Sequence, residues 1–241
     1  MTTAEASSIP RLRAGKVLVL GVGGLGSPAA LGLAAAGVGT IGLVDPDLVE
    51  LSNLQRQILH HTPDLGRAKV ASAREKLLRI DPTVAVIAHQ ERLHADNLFR
   101  LFDPYDFIID GTDTVATKFL INDGAVLMDK PFSYGGIVQF HGQTLTVLPK
   151  RTACLRCLFP TPPEADEIPT CQEAGIIGSL AGSLGTIQAA EAVRYLSGAG
   201  ALLTDRLLTY DALALCWRAV AIQRNPRCPL CGDTPTITRV R

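Results

Sequence analysis

The chain has 241 residues, a length that fits one α/β domain with an elaborated second half better than two full domains. Hydrophobic residues make up 47% of the sequence, which supports a large buried core. The 23 lysines and arginines balance the 23 aspartates and glutamates, and this argues against nucleic-acid or membrane partners attracted by net charge.

An uncharged stretch, residues 17–44, could be mistaken for a signal peptide or a membrane span. It contains eight glycines and Pro28, and its apolar residues fall in two short runs around a segment of small residues. This pattern predicts two buried strands and a helix. We therefore expect no membrane segment, and six cysteines that do not resemble a secreted disulfide framework favour a reducing cytoplasm.

The first half of the chain alternates between predicted strands and predicted helices. A strand at 17–20 leads into a glycine-rich turn and then a helix at 26–36, which Gly37 closes. A strand at 40–44 is followed by a polar loop at 47–66 with room for one short helix. The other predicted elements of this half are an amphipathic helix at 66–80, strands at 83–88 and 106–110, and a helix at 114–127.

The pattern changes after residue 132, where short runs with glycines predict antiparallel strands up to residue 148. The proline-rich segment 161–175 predicts a mobile loop, and a long helix rich in glycine and alanine follows at 176–196. Strands are expected at 205–211 and 215–223. Together these elements predict a Rossmann-like α/β fold, with a doubly wound, mostly parallel sheet and an antiparallel C-terminal extension.

The glycine-rich turn predicts a nucleotide site. It consists of Gly21-Val22-Gly23-Gly24-Leu25-Gly26, between a predicted strand and a predicted helix. Glycines let backbone N–H groups approach phosphate oxygens at a helix N-terminus. Asp45, about 20 residues further on at a strand end, suits a ribose hydroxyl. An NAD-dependent oxidoreductase would also fit this fingerprint, which therefore does not decide the function alone.

Two cations after Asp45 favour a triphosphate. Arg56 and Lys69 are more than a nicotinamide site needs, whereas an α-phosphate under attack by an anion requires positioned positive charge. Asp113, near a predicted strand's carboxyl end, offers an oxygen ligand for Mg²⁺. For Asp110, a structural role as a strand-end cap or turn residue fits the sequence as well as a role in the site does. These residues predict ATP and Mg²⁺ as the ligands.

The six cysteines do not resemble a secreted disulfide framework, because four of them form two C-x-x-C pairs. Cys154 and Cys157 form the first pair, and Cys228 and Cys231 form the second. Four thiolates are the usual ligands of a closed structural Zn²⁺ site. A redox pair would need a helix N-terminus in a thioredoxin-like unit, which neither pair has. Cys216 is interpreted as buried filler.

The chain resembles the ubiquitin-activating-enzyme superfamily, and within it the bacterial ThiF/MoeB/HesA group of sulfur-carrier adenylyltransferases. The resemblance covers nearly the whole chain as a single domain, with a nucleotide-binding half at 1–135 and a carrier-binding, zinc-containing half at 136–241. Its motifs are the glycine turn with Ser27, Asp45, Ser52-Asn53-Leu54-Gln55-Arg56-Gln57, Lys69, Asp110-Gly111-Thr112-Asp113, both cysteine pairs, and Thr170-Cys171-Gln172-Glu173-Ala174-Gly175.

This resemblance implies ATP-dependent adenylation of the C-terminal Gly-Gly carboxylate of a small ubiquitin-like sulfur carrier, ThiS-like or MoaD-like. The product would serve thiocarboxylate formation in thiamine, molybdopterin or related cofactor biosynthesis. A terminal carboxylate is already ionised at neutral pH, so no general base is needed. The resemblance implies catalytic roles for Arg56, Lys69, Asp113 and Cys171. It implies nucleotide binding by Gly21, Gly23, Gly24, Gly26, Asp45, Ser52, Asn53, Gln55, Arg56, Lys69, Asp113 and Thr114.

Three points stay open within this resemblance. Cys171 either bonds covalently to the carrier or has no required role. Thr114 stands where relatives usually carry asparagine beside the nucleotide. Only 16 residues precede the first predicted strand, so the Arg-Tyr-x-Arg-Gln-like run that reaches a partner subunit's ATP is missing, and we do not expect Arg11 and Arg13 to replace it fully.

The expected assembly is a homodimer, and the sulfur donor is expected to be a separate protein because no rhodanese-like domain follows residue 241. Nucleic-acid and membrane partners are not expected. The remaining alternatives are the NAD-dependent oxidoreductase and a non-catalytic subunit that presents a ubiquitin-like partner. Such a subunit should have lost its phosphate cations and its Mg²⁺ acid, which this chain retains.

Overall fold

The structure, a computed structural model, describes residues 3–163 and 175–240, with side chains described from residue 9 onward. One sheet of eight strands forms the centre of the described fold. In chain order its strands are β1 (Lys16–Leu20), β2 (Thr40–Val44), β3 (Ala85–His89), β4 (Phe107–Asp110), β5 (Phe132–Val138), β6 (His141–Val147), β7 (Arg206–Asp211) and β8 (Cys216–Ala221).

Helices cover both faces of this sheet. In chain order they are α1 (Thr3–Ala14), α2 (Gly26–Ala36), α3 (Lys69–Ile80), α4 (Ala95–Phe102), α5 (Val115–Leu127), α6 (Leu155–Leu158) and α7 (Gly178–Ser197). The loop between β2 and α3 adds two 3₁₀ turns, Leu51–Asn53 and Thr62–Asp64. No helix in the described ranges is long and apolar enough to cross a bilayer.

The strand order β3-β2-β1-β4-β5-β6-β7-β8 divides the sheet into two parts. The pairings among β1 to β5 are parallel, and those from β5 to β8 are antiparallel. The carboxyl ends of β1, β2 and β4 meet, because Leu20 is in register with both Val44 and Asp110. The strand order reverses at β1, and doubly wound folds bind ligands at such a point.

The core lies on both faces of the central strands, as an all-apolar parallel strand requires. In β1, Val17 and Val19 pack towards α2, α3 and α7, whereas Leu18 and Leu20 pack towards α4 and α5. All four side chains are essentially inaccessible to solvent. The central strands therefore form a rigid base for the residues at their carboxyl ends.

The structure confirms the predicted fold class and most predicted elements. Helix α2 occupies the predicted range and ends at Gly37 in the left-handed conformation, with φ of 81°. Helix α5 begins after Thr114, whose hydroxyl accepts a hydrogen bond from the Thr117 N–H. The predicted start of α3 at residue 66 was wrong, because regular helix begins at Lys69. Helices α1, α4 and α6 were not predicted.

The segment at 161–175 was predicted to be a mobile loop, and most of it lies outside the described residues. In α4, Leu98, Leu101 and Phe102 are buried against the core at the i, i+3, i+4 spacing of a short amphipathic helix. Only eight residues long, the helix gave too little periodicity to be recognised in the sequence.

Helix α7 packs against α2 through small residues. A Cβ on Gly185 would lie 2.2 Å from the Leu25 carbonyl oxygen and 2.6 Å from the Pro28 ring. A Cβ on Gly182, one turn earlier, would meet nothing within 4 Å. The close approach of these two helices therefore requires glycine at 185 but not at 182.

We predict opposite effects of alanine at these two positions. Gly185→Ala should lower the free energy of unfolding by about 1–3 kcal/mol, because the added methyl forces the helices apart. Gly182→Ala should leave stability unchanged or raise it by up to ~1 kcal/mol, because alanine favours the helix. Urea unfolding of both variants measures the difference, and equal stability would contradict the packing described.

Candidate functional site

A cavity of about 340 Å³ opens at the carboxyl ends of β1, β2 and β4. We call it the first cavity. Eight of the residues that the sequence assigned to a nucleotide line it: Gly21, Gly23, Gly24, Asp45, Arg56, Lys69, Asp113 and Thr114. The structure therefore brings together residues spread over more than 90 positions of the chain, from Gly21 to Thr114.

The glycine turn is shaped by a contact that excludes any larger residue. A Cβ on Gly26 would lie 1.8 Å from the Gly21 carbonyl oxygen. Gly21 itself has φ of 80°, in the left-handed region that favours glycine. Helix α2 begins directly at Gly26, so its positive N-terminal end follows the turn, as in anion-binding helices. Gly26 does not line the cavity and acts through the shape of the turn.

Asp45 holds the turn from the end of β2. Its Oδ2 accepts a hydrogen bond from the Val22 N–H at 2.7 Å, and its Oδ1 accepts one from the Asp47 N–H at 2.9 Å. Burial raises the pKa of Asp45, while the charge of Lys69 opposes that rise. The predicted ribose acid therefore also fixes the backbone that it faces.

His60 holds the carbonyl of Val22, the residue whose N–H Asp45 binds. Its Nε2 lies 3.1 Å from the Val22 carbonyl oxygen, which can only accept, so Nε2 carries the proton. Its Nδ1 then accepts from the Ser72 hydroxyl at 2.8 Å. The side chain of His60 is buried.

Arg56 is held by the short turn that precedes it. Its Nη2 donates to Asn53 Oδ1 at 3.0 Å, and its Nη1 donates to the Ser52 carbonyl at 3.3 Å. Asn53 Oδ1 also accepts from Gln57 Nε2 at 3.1 Å. Ser52, Asn53 and Gln55 do not line the cavity, and direct contact of these three with a nucleotide stays a prediction.

Lys69 reaches the cavity from the first residue of α3. Its ammonium group lies 3.0 Å from Asp47 Oδ2, and its side chain is 7% exposed while that of Asp47 is 55% exposed. An ion pair with such an exposed carboxylate is weak. The ammonium group therefore keeps most of its capacity to bind an anion in the cavity.

Lys118 is a cavity residue that the sequence did not reveal. Its Nζ lies 3.2 Å from Asp110 Oδ2 and donates to the Gly135 carbonyl. Asp110 Oδ1 also accepts from the Thr112 N–H and hydroxyl, at 3.0 and 2.7 Å. Asp110 is thus a strand-end turn residue and the partner of a buried lysine. An isolated lysine in a helix gives no sequence signal, because most such lysines face solvent.

A second cavity of about 490 Å³ lies along the antiparallel part of the sheet. It adjoins the first cavity, since Asp113, Lys118 and Ile137 line both. Asp113 is solvent-exposed at this junction. Cys216 lines the second cavity and is partly exposed, so its interpretation as buried filler was wrong.

The four cysteines of the two C-x-x-C pairs converge on one point. Their sulfur atoms all lie within 4.8 Å of one another, and the closest pair, Cys157 and Cys231, is 3.4 Å apart. Tetrahedral Zn–S bonds of about 2.3 Å place sulfurs about 3.8 Å apart. The cluster could therefore hold a metal ion.

The first cavity, as the structure describes it, includes neither Cys171 nor the two N-terminal arginines Arg11 and Arg13. Cys171 falls outside the described residues. Arg13 pairs with Asp81 at 2.6 Å, and the Arg11 guanidinium lies 3.5 Å from the Ser197 carbonyl at the C-terminal end of α7. Both arginines are thus at the end of the sheet opposite to the first cavity, and neither contributes to it within the same chain.

The sequence model of the ThiF family matches residues 2–230. The chain belongs to the ThiF family. Among similar members is the sulfur carrier protein adenylyltransferase of Thermus thermophilus, 45% identical over 231 residues that cover 94% of this chain and 85% of the relative. The probable adenylyltransferase/sulfurtransferase MoeZ of Mycobacterium tuberculosis is 44% identical over 95% of this chain and 58% of its own length.

A further ThiF-family relative is the adenylyltransferase and sulfurtransferase MOCS3 of Anopheles gambiae, 38% identical over 95% of this chain and 52% of its own length. The chain thus spans little more than half of MoeZ and MOCS3. Among solved structures, Escherichia coli MccB with ATP superposes with a TM-score of 0.84 at 20% identity, over 94% of this chain and 69% of that one. This likeness concerns the fold.

We predict that His60 makes the fold sensitive to mild acid. Burial lowers the pKa of His60, whereas in the unfolded chain it is about 6.5. The unfolded state therefore binds the proton first, and stability is lost as the pH falls below about 6.5. Urea unfolding at pH 7.5 and pH 5.5 should show a smaller pH dependence in His60→Gln than in the parent. His61 is an exposed neighbour, so His61→Gln should keep the parental pH dependence of stability. An equal change of this pH dependence in both variants would contradict the assignment of the acid sensitivity to His60.

Proposed function

We propose that this chain is an ATP-dependent adenylyltransferase that activates the C-terminal Gly-Gly carboxylate of a small ubiquitin-like sulfur carrier. The observation that carries the proposal is the first cavity, where a glycine turn, the cations Arg56 and Lys69 and the carboxylate of Asp113 meet in a member of the ThiF family. The names of the similar relatives, which are adenylyltransferases, support the same reaction over an NAD-dependent oxidoreductase.

The reaction needs electrostatic help more than acid–base chemistry. A carboxylate oxygen of the tail attacks the α-phosphorus of ATP, the bond to the bridging oxygen breaks, and pyrophosphate leaves with the electron pair. Both reactants are anionic, so positive charge at the point of attack lowers the barrier. Arg56 and Lys69, which both line the cavity, supply it. The glycine turn and the start of α2 add backbone N–H dipoles for the phosphates.

Asp113 is the proposed Mg²⁺ ligand. Among the described residues, its side chain has no hydrogen bond or ion pair of its own, and it lies at the junction of the two cavities. Carboxylate oxygens are the ligands that Mg²⁺ prefers. When bound, the ion would neutralise phosphate charge. Thr114 contributes the cap of α5 beside it, so its hydroxyl supports the loop in which Asp113 lies.

In this proposal the two halves of the chain bind different substrates. Residues 1–135 bind ATP, and residues 136–241 receive the carrier, whose tail would pass along the second cavity to the first. We further propose a homodimer and a separate sulfur donor in a reducing cytoplasm, where the thiol cluster would stay reduced. A monomer in sedimentation equilibrium would reject the dimer. Cys171 is the candidate for a covalent bond to the carrier during later sulfur transfer.

We propose that the cysteine cluster holds one Zn²⁺ in a structural role. All four positions are filled by sulfur, which leaves no place for a reacting water. Cys154 and Cys228 are 74 positions apart, so the ion would tie the end of the chain to its middle.

We predict that Arg56→Ala, Lys69→Ala and Asp113→Ala each lower the rate of carrier-dependent pyrophosphate–ATP exchange by at least about 100-fold, the scale for losing one preorganised charge contact. Arg74→Ala is the matched control, because Arg74 is exposed on α3 and does not line the cavity. Full exchange activity of Asp113→Ala would overturn the Mg²⁺ assignment.

Protein purified without chelator should contain one zinc per chain, and Cys228→Ser should lose both the metal and several kcal/mol of stability. Cys216→Ser is the control, since Cys216 lies outside the cluster and should keep the full zinc content. Elemental analysis together with thermal unfolding measures both quantities. A metal-free parent, or a Cys228→Ser chain as stable as the parent, would contradict the structural zinc.

A further inference from the structure

Lys118 is the one cation that lines both cavities among the described residues. Arg56, Lys69 and Arg92 line only the first cavity, and Arg218 lines only the second. Lys118 is therefore placed to meet an anionic group that passes from the second cavity to the first. In the proposed reaction that group is the carboxylate end of the carrier tail.

The Lys118 ammonium group is anchored but not saturated. Its Nζ lies 3.3 and 3.2 Å from the two Asp110 carboxylate oxygens and also donates to the Gly135 carbonyl. One of its three N–H donors can serve both carboxylate oxygens, and the Gly135 carbonyl takes a second. This sharing leaves the third N–H for a ligand. The face of the Tyr134 ring, 5.3 Å from Nζ, adds a cation–π contact that holds the side chain in place.

Asp110 holds the ammonium group of Lys118 in position. Its side chain is 1% exposed, and the Thr112 N–H and hydroxyl hold its Oδ1 in the turn after β4. Because both partners of the ion pair are buried and hydrogen-bonded, the ammonium group is positioned before any ligand arrives. Little ordering is therefore needed when an anion binds to its third N–H.

We propose that Lys118 binds the terminal carboxylate of the incoming tail at the junction of the two cavities and orients it towards the α-phosphate. This inference rests on the proposed adenylation and assigns its carboxylate-binding residue. Arg56 and Lys69 then act on the phosphates, and Lys118 acts on the nucleophile. This division gives Lys118, which lies at the junction, a role distinct from those of Arg56 and Lys69.

Direct binding tests the contact with the carboxylate itself. The probe is a ubiquitin-like sulfur carrier that supports exchange with the parent, prepared with a free C-terminal carboxylate and with a C-terminal carboxamide. Calorimetric titration is done with an ATP analogue whose α and β phosphorus atoms are joined by methylene, which prevents reaction. The parent should bind the carboxylate form at least about tenfold more tightly than the carboxamide form, as for one charge-assisted hydrogen bond.

In Lys118→Met this preference should fall to within about twofold, whereas Lys118→Arg should keep most of it because the cation is retained. Lys118→Met leaves Asp110 buried without its partner, which can unfold the chain. The double variant Lys118→Met with Asp110→Asn removes that charge and decides the question if the single variant is unstable. Lys130→Met is the matched control, since Lys130 binds the carbonyls of Asp103 and Tyr105 outside both cavities.

The experiment distinguishes a failure of the Lys118 proposal from a failure of the proposed adenylation. A carboxylate preference that persists in a folded Lys118 variant, or that is absent from an exchange-active parent, overturns the role of Lys118 alone. A parent that shows no exchange with ThiS-like or MoaD-like carriers rejects the proposed adenylation, and with it the role of Lys118.

Discussion

The site depends on the backbone of Val22, whose N–H and carbonyl are both clamped by side chains. Asp45 accepts from the N–H, while His60 donates to the carbonyl from the loop before α3. Ser27 also donates its hydroxyl to that carbonyl at 3.2 Å, from the first turn of α2. These partners satisfy a buried N–H and a buried carbonyl, each of which would cost about 1–3 kcal/mol if left unpaired. They also connect β2, α2 and the 47–68 loop through one point.

The positions of the charged groups depend on this clamp at Val22. The clamp sets the glycine turn against the start of α2, and the polar loop that carries His60 also carries Arg56. That loop ends at α3, whose first residue is Lys69. A shift of the Val22 backbone would therefore move the N–H groups of the glycine turn and the cations Arg56 and Lys69 together.

Helix α5 links this edge of the sheet to the cysteine cluster. Its first turns carry Lys118 into the junction, and its later turns hold the segment that bears the first C-x-x-C pair. There, Asn122 Oδ1 accepts from the Leu155 N–H, and Asp123 forms a paired contact with Arg156. A metal in the cluster would thus stiffen the element that positions Lys118, even though it lies outside both cavities.

The fold could be predicted from the sequence because helix ends and buried strands are set by residues close to one another along the chain. Gly37 stops α2, Thr114 starts α5, and apolar strands separated by glycine turns define the parallel sheet. The family motifs also led to most residues of the first cavity. Lys118 and His60 could not be found this way, because their burial depends on which strands lie side by side. Helix α1 gave no signal either, since its sequence has no regular apolar face and includes Pro10.

The most direct test of the account is whether the chain joins AMP to a carrier terminus. Intact-mass spectrometry of a ThiS-like or MoaD-like carrier, incubated with this protein, ATP and Mg²⁺, should show the carrier gain one AMP unit while pyrophosphate is released. The adduct should be absent when the carrier lacks its last glycine or ends in a carboxamide. ATP cleavage to ADP and phosphate with no change in carrier mass would contradict the account.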